Sequence, residues 1–160
     1  MTDFQTTAEK LLVLLTFPDT QLSITETEVE TQVNLTVDES ATGVLIGYHG
    51  EKIDALQLIL SLIYNQNRTD YKPVRLDIND YRQRRTEALD ELADKAVEQA
   101  VKSGREIILP PLSPAERRLV HVHLSENNQV TTYSEGEGRT RRLIIRPNNP
   151  LTETNQPATQ

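Results

Sequence analysis

The chain contains no cysteine and no tryptophan. Without thiols it has no disulfide, no Cys-based metal site and no thiol nucleophile. Aromatic residues make up only 4%, two Phe and five Tyr, so its cores must be built mainly from Leu, Ile and Val. Long apolar runs are missing as well. The stretch Leu11–Leu15 follows Glu9 and Lys10 and ends at Phe17-Pro18, far short of the ~20 residues of a membrane-spanning helix. It also lacks the basic flank and small-residue cleavage site of a secretory signal. It is expected to be a buried helix face, in a cytoplasmic protein with no direct membrane insertion. No Walker loop, G-x-S-x-G elbow or G-x-G-x-x-G fingerprint occurs, and the carboxylates after position 67 form no convincing catalytic pair. The expectation is a protein with no catalytic residue, cofactor or metal. His121-Val122-His123 does not alter this, because i and i+2 side chains on a helix point apart.

A net charge of −7 argues at first against a polyanionic ligand, but its distribution reverses that for half the chain. Residues 1–67 hold two basic and ten acidic residues, whereas residues 102–147 hold eight Lys or Arg against five Glu, with His121 and His123 besides. An electrostatic footprint for phosphate therefore belongs to the C-terminal half. The acidic N-terminal half predicts modest, salt-sensitive affinity.

The 160 residues allow one ordinary domain or two small ones. Thr6 and Glu9 have capping-box spacing before the Leu11–Leu15 stripe, which predicts a helix over 6–16. Alternation through Leu22, Ile24, Val29, Val33, Leu35 and Val37 predicts two strands with a turn near Glu30–Gln32. A short helical segment, Ala41–Ile46, is interrupted by Gly47 and Gly50. Ile53, Leu56, Leu60 and Ile63 then mark a second helix. Residues 73–78 alternate as a strand, giving the order α-β-β-α-α-β. A long helix spans 80–103, capped by Asp80, with Tyr81, Arg85, Ala88, Leu89, Leu92, Ala96 and Val101 inward. A strand at Arg105–Leu109 ends at Pro110-Pro111. Ser113, Pro114 and Glu116 then form the clearest helix start in the chain, a capping box with proline at the first position, predicting a helix to about Leu124. Gln129–Tyr133 and Arg142–Arg146 read as paired strands around a glycine-bearing turn. The polar tail 148–160 is expected to be disordered.

Two surfaces carry chemistry. The first is Ile46-Gly47-Tyr48-His49-Gly50-Glu51-Lys52-Ile53, an I-G-x-x-G-x-x-I loop between two short helices. Glycines let a nucleic-acid backbone approach closely, and the second opens a helix whose N–H groups can face phosphate. Tyr48 offers a stacking ring, His49 a donor and Lys52 the one firm cation. The plain alternative is a helix–helix turn. The second surface is Arg117 and His121, four apart on one helical face, with Arg118 beside them. Together they offer a guanidinium fork and an imidazole. Arg139, Arg141 and Arg142 would extend this patch from the following hairpin, or form only a solvated edge. Arg117 could equally be spent on an ion pair and His121 on packing. Arg82, Arg84 and Arg85 oppose the dipole of the long helix and call for compensation from Asp80, Glu87 or a phosphate; solvated side chains are the plainer reading.

The glycine loop within its α-β-β-α-α-β order resembles a type II KH domain. The Arg-x-x-x-His helix resembles an R-three-H domain, together with its preceding strand, the Pro-Leu-Ser-Pro-x-Glu-Arg-Arg run and the later Ser-Glu-Gly-Glu-Gly turn. In this order the two resemble the Jag family of bacterial proteins, also called SpoIIIJ-associated proteins, nearly end to end over 1–147. Tyr48 and His49 depart from the basic or polar residues usual at the loop centre. Many members carry a further small N-terminal domain and linker, which are not expected here. The resemblance implies an α+β fold, with a KH domain at 1–79 and a small α/β R-three-H domain at 80–147. It implies single-stranded RNA, or single-stranded DNA, as ligand, with a regulatory or chaperone-like role in RNA metabolism. The site residues would be Gly47, Tyr48, His49, Gly50 and Lys52 in one domain and Arg117, Arg118, His121, Arg139, Arg141 and Arg142 in the other. The rival expectation, motivated by Tyr48 and His49 in place of cations, is a protein-interaction module. Its KH half would have lost RNA and would meet a partner such as another KH-domain protein.

Overall fold

Alternating apolar residues in the first half fold into three strands backed by three helices. In the computed structural model, which describes residues 2–148, these are α1 (Thr2–Leu14), β1 (Gln21–Glu26), β2 (Thr31–Thr36), α2 (Glu39–Ile46), α3 (Glu51–Asn65) and β3 (Val74–Ile78), with one 3-10 turn at Tyr48–Gly50. The sheet order is β1-β2-β3, with β1 and β2 antiparallel and β2 and β3 parallel. A parallel pair needs a long crossover, and α2 and α3 supply it. Val33, Leu35, Leu76 and Ile78 face the helices and meet Leu12, Leu45, Ile53, Leu56 and Leu60 in one buried core. The order is the α-β-β-α-α-β expected from the sequence.

At the end of β3, Asn79 ties the glycine loop's leading helix to the sheet. Its amide nitrogen donates to the Val37 carbonyl and to Thr42 Oγ1 on α2, both at 2.8 Å, and its side-chain oxygen accepts from the Val37 N–H at 3.1 Å. Asn79 has φ +50°, a conformation that Asn tolerates better than most residues. Asp77 satisfies one of the first N–H groups of the next helix, accepting from the Arg82 backbone at 3.2 Å.

Helix and turn boundaries in this unit differ from expectation. Helix α1 starts at Thr2, so Thr6 lies inside it and cannot be its cap. The β1–β2 turn lies at Thr27–Glu30, earlier than expected, because the Thr27 backbone and hydroxyl both bond Glu30. Val29 therefore sits in the turn, exposed. The end of α1 carries its own signature. Phe17 N–H bonds the Leu12 carbonyl and Thr16 N–H bonds the Val13 carbonyl, a Schellman closure with Thr16 at φ +70°. Glycine is the usual residue there, and a β-branched side chain is strained. Thr16→Gly is expected to stabilise this unit by about 1 kcal/mol, read as a higher denaturation midpoint at unchanged slope.

The chain divides into two units at Gln83/Arg84. The second holds most of α4 (Tyr81–Ser103), then β4 (Ile107–Ile108), α5 (Pro114–His123), β5 (Val130–Glu135) and β6 (Arg142–Pro147), with a 3-10 turn at Gly138–Thr140. Its sheet order is β4-β6-β5, all antiparallel. Leu143 and Ile145 of the central strand pack on Leu89, Ala93, Ala96, Val97 and Ala100 of α4 and on Val120 of α5. The inward face of α4 thus includes Ala93, Val97 and Ala100, whereas Ala88 and Val101 are exposed. Small alanines let the helix lie close to the sheet. The strand expected at Arg105–Leu109 shrinks to the two paired residues of β4. Asn148 is anchored, donating to the Gln129 and Asn128 carbonyls, both at 2.8 Å. The rest of the expected disordered tail lies outside the described residues. No described helix is long and apolar enough to cross a membrane.

Candidate functional site

The glycine loop forms a tight left-handed hinge. Gly47, His49 and Gly50 have φ of +71°, +51° and +84°. Both glycines also serve contacts within the protein. A Cβ on Gly47 would lie 2.5 Å from Lys52 Cγ, so the lysine stem is laid across the bare glycine. A Cβ on Gly50 would face the Tyr81 ring at 3.6 Å. The hinge leaves Tyr48 prominent: it is 65% exposed and meets His49 edge to face, with centroids 4.1 Å apart. Lys52 is exposed, but Glu51 and Asp54 share the first turn of α3 with it. Asp54 is partly neutralised by Arg82 Nη2 at 3.0 Å. The loop thus presents one cation, one aromatic ring and one imidazole, against a local acidic background.

In the second unit, α5 is held by its N-terminus. Ser113 Oγ accepts from the Glu116 N–H and the Glu116 carboxylate accepts from the Ser113 N–H at 2.7 Å. Glu116 is only 5% exposed and also takes Arg85 of α4, with Nε at 2.7 Å and Nη2 at 2.6 Å. Arg85 and Arg82 are thus engaged side chains and not solvated ones; Arg82 Nε also donates to the Leu76 carbonyl at 3.2 Å.

This anchoring aims one face of α5 along β5. Arg117 donates from Nη1 to the Leu112 carbonyl at 2.6 Å, which orients the guanidinium. His121 Nδ1 lies 2.5 Å from Thr132 Oγ1. Arg117, Arg118, His121 and Arg141 line one groove of about 400 Å³, whose other walls are Pro114, Thr132, Tyr133, Ser134 and Leu143. Three guanidinium groups and an imidazole, with no carboxylate in the lining, give the groove the electrostatics that suit an anion. Arg139 lies in the exposed turn that follows. Arg142 is committed to that turn, donating to the Arg139 and Arg141 carbonyls at 2.7 and 3.1 Å. His123 points away from His121, toward Asp94 at 2.9 Å and Asp90 at 3.4 Å on α4. No group of three His, Cys, Asp or Glu among the described residues could hold a metal ion.

The family model described as "KhpA/KhpB, KH domain" matches residues 6–78, and the R-three-H domain model matches 87–147. Among curated proteins, the chain is 39% identical over 127 residues to RNA-binding protein KhpB of Clostridium symbiosum, covering 79% of this chain and 56% of that one. It is 35% identical over 126 residues to RNA-binding protein KhpB of Bacillus subtilis, covering 78% and 60%. With the protein of that name from Streptococcus pneumoniae it shares 36% over 115 residues, covering 71% and 34%. This is a Jag-like protein of the KH plus R-three-H type. The chain spans little more than half the length of the Clostridium relative.

The Jag-like fold explains what the motifs alone did not show. Thr132 was missed because it comes from a strand, eleven residues after His121, and only the sheet brings it to the imidazole. Tyr81 was missed as the floor under Gly50 for the same reason. Elsewhere on the R-three-H sheet, Glu106 is bonded by Arg146 and by Tyr133. The hydrogen bond from Arg146 holds the Glu106 carboxyl below the usual carboxylate range. A lowered folded-state value stabilises the fold above the unfolded value and is lost as pH falls through the folded one. Glu106→Gln is therefore expected to flatten the acid limb of this unit's stability below about pH 4, measured as thermal midpoint against pH. An acid limb identical to wild type would refute the coupling.

Proposed function

We propose that the protein binds single-stranded RNA in the cytoplasm without catalysing a reaction on it, serving RNA metabolism as a regulator or chaperone. The observation that carries this reading is the R-three-H groove, where Arg117, Arg118, His121 and Arg141 converge on one surface without an opposing carboxylate. Unpaired strands suit such a site, because their phosphates and bases are both accessible. The KH loop supplies a weaker second contact through the Tyr48 ring and the Lys52 ammonium. Two weak sites on one chain raise overall affinity when both can engage one strand. The names of the curated relatives agree with this reading. Single-stranded DNA would satisfy the same donors, and a parallel titration with DNA separates the two.

The test is titration of labelled single-stranded RNA at low and moderate salt. Affinity should fall steeply with salt, since bound phosphates release counterions. No salt-dependent binding would sink the proposal. The KH contribution is best tested at Lys52. Lys52→Met keeps the stem that packs on Gly47 and deletes only the charge. It is expected to weaken binding about three- to fivefold with stability unchanged. Variants at Gly47 or Gly50 are less clean, since they strike Lys52 and Tyr81 as well as the ligand.

A second reading rests on its own observation. Leu58, Ile59 and Leu62 of α3 are 61%, 43% and 65% exposed and share a helix face. With the acidic charge of this half, that face favours a protein contact, and another KH-domain protein is the partner we propose for it. Association that survives high salt and is lost in Leu62→Glu would support this role beside RNA binding.

A further inference from the structure

We infer that Thr132 is a third member of the R-three-H site, a positioning residue that fixes how His121 faces the ligand. The inference rests on the RNA-binding reading above and assigns a role that neither the Arg-x-x-x-His motif nor its spacing contains. Thr132 sits in the middle of β5, paired with the fully buried Ile145 of β6, so its backbone is held by the sheet. Its β-branched side chain has few rotamers open to it. The hydroxyl is 2.5 Å from His121 Nδ1, and both residues line the groove. An imidazole whose Nδ1 is bound to a fixed hydroxyl presents Nε2 outward. With the hydroxyl donating to Nδ1, the neutral ring carries its proton on Nε2, and the imidazolium carries one there as well. In either state Nε2–H is the donor offered to a phosphodiester oxygen. Arg117 is oriented by an analogous device, the Leu112 carbonyl. Each member of the signature pair is thus held by a neighbour outside the motif.

The experiment compares Thr132→Val, which keeps the shape and removes the hydroxyl, with Thr132→Ser, which keeps the hydroxyl. Each is made in the full chain, alone and with His121→Ala. Two readouts are taken: the affinity for single-stranded RNA and the ring-nitrogen NMR signals of His121 in the unbound protein. Thr132→Val is expected to weaken binding about three- to tenfold and to move the His121 signals toward a mixed tautomer population. Thr132→Ser should stay near wild type in both. In the His121→Ala background, Thr132→Val should cost nothing further. Wild-type affinity in Thr132→Val overturns the inference, as does an equal loss in both backgrounds, which would make Thr132 a direct contact. The NMR readout needs no ligand: unchanged ring-nitrogen signals in Thr132→Val overturn the inference even if the wild type binds RNA. Failure of the wild type to bind would instead sink the reading on which it rests.

Discussion

Glu116→Ala is expected to destabilise the R-three-H unit by about 3 kcal/mol. The carboxylate is buried and takes the Ser113 N–H, Arg85 Nε and Arg85 Nη2. Its removal opens the capping box and takes from the Arg85 guanidinium, 33% exposed, the carboxylate it grips. That partial exposure keeps the expected cost at the lower end of the range for breaking a buried pair. Loss of the anchor also frees α5, the helix that carries Arg117 and His121, so affinity should fall with stability. Glu116→Gln keeps an acceptor for Ser113 and should cost about 1 kcal/mol. Native-state hydrogen exchange is the appropriate measurement, because it resolves the amides of α5 from those of the KH unit. Unchanged protection along α5 in Glu116→Ala would show that the buried pair does not hold the helix.

Arg117→Ala is expected to give the largest loss of RNA affinity, about ten- to hundredfold. A guanidinium oriented by a backbone carbonyl has its remaining N–H groups directed in advance, and charge-assisted bonds from such a fork are strong. Deleting it should also lower the salt slope by roughly one phosphate contact. Arg117→Lys should restore the charge and part of the affinity, but not the fork geometry. A loss of affinity without any change in salt slope would place Arg117 away from phosphate. Circular dichroism of the variant guards against a trivial cause, since Arg117 also bonds Leu112.

The elements most legible in the sequence were those set by local chemistry. Ser113, Pro114 and Glu116 announced α5 because a capping box is satisfied within four residues. Ile53, Leu56 and Leu60 announced α3 because the buried stripe is strictly periodic. The glycine loop was legible because Gly47 and Gly50 adopt the left-handed backbone that glycine permits. Features set by partners distant in sequence were not legible. The turn after β1 was displaced because Val29 continues an apolar alternation, while Thr27 closes the chain with its own hydroxyl. Arg85 looked solvated because its partner Glu116 stands on another helix. Nothing in the sequence shows that carbonyls of its own turn take Nη1 of Arg142. Within the candidate site the motif supplied Arg117 and His121, and the sheet supplied Thr132.

One groove of the R-three-H unit, receiving a phosphodiester strand, is the centre of the proposed function. The most direct measurement is residue-resolved NMR mapping of the full chain titrated with a short single-stranded RNA. Signals of Arg117, Arg118, His121, Thr132 and Arg141 are expected to shift together and saturate at one concentration, with weaker shifts at Tyr48 and Lys52. Shifts confined to the α3 face around Leu58 and Leu62, with the groove silent, would contradict the proposed function.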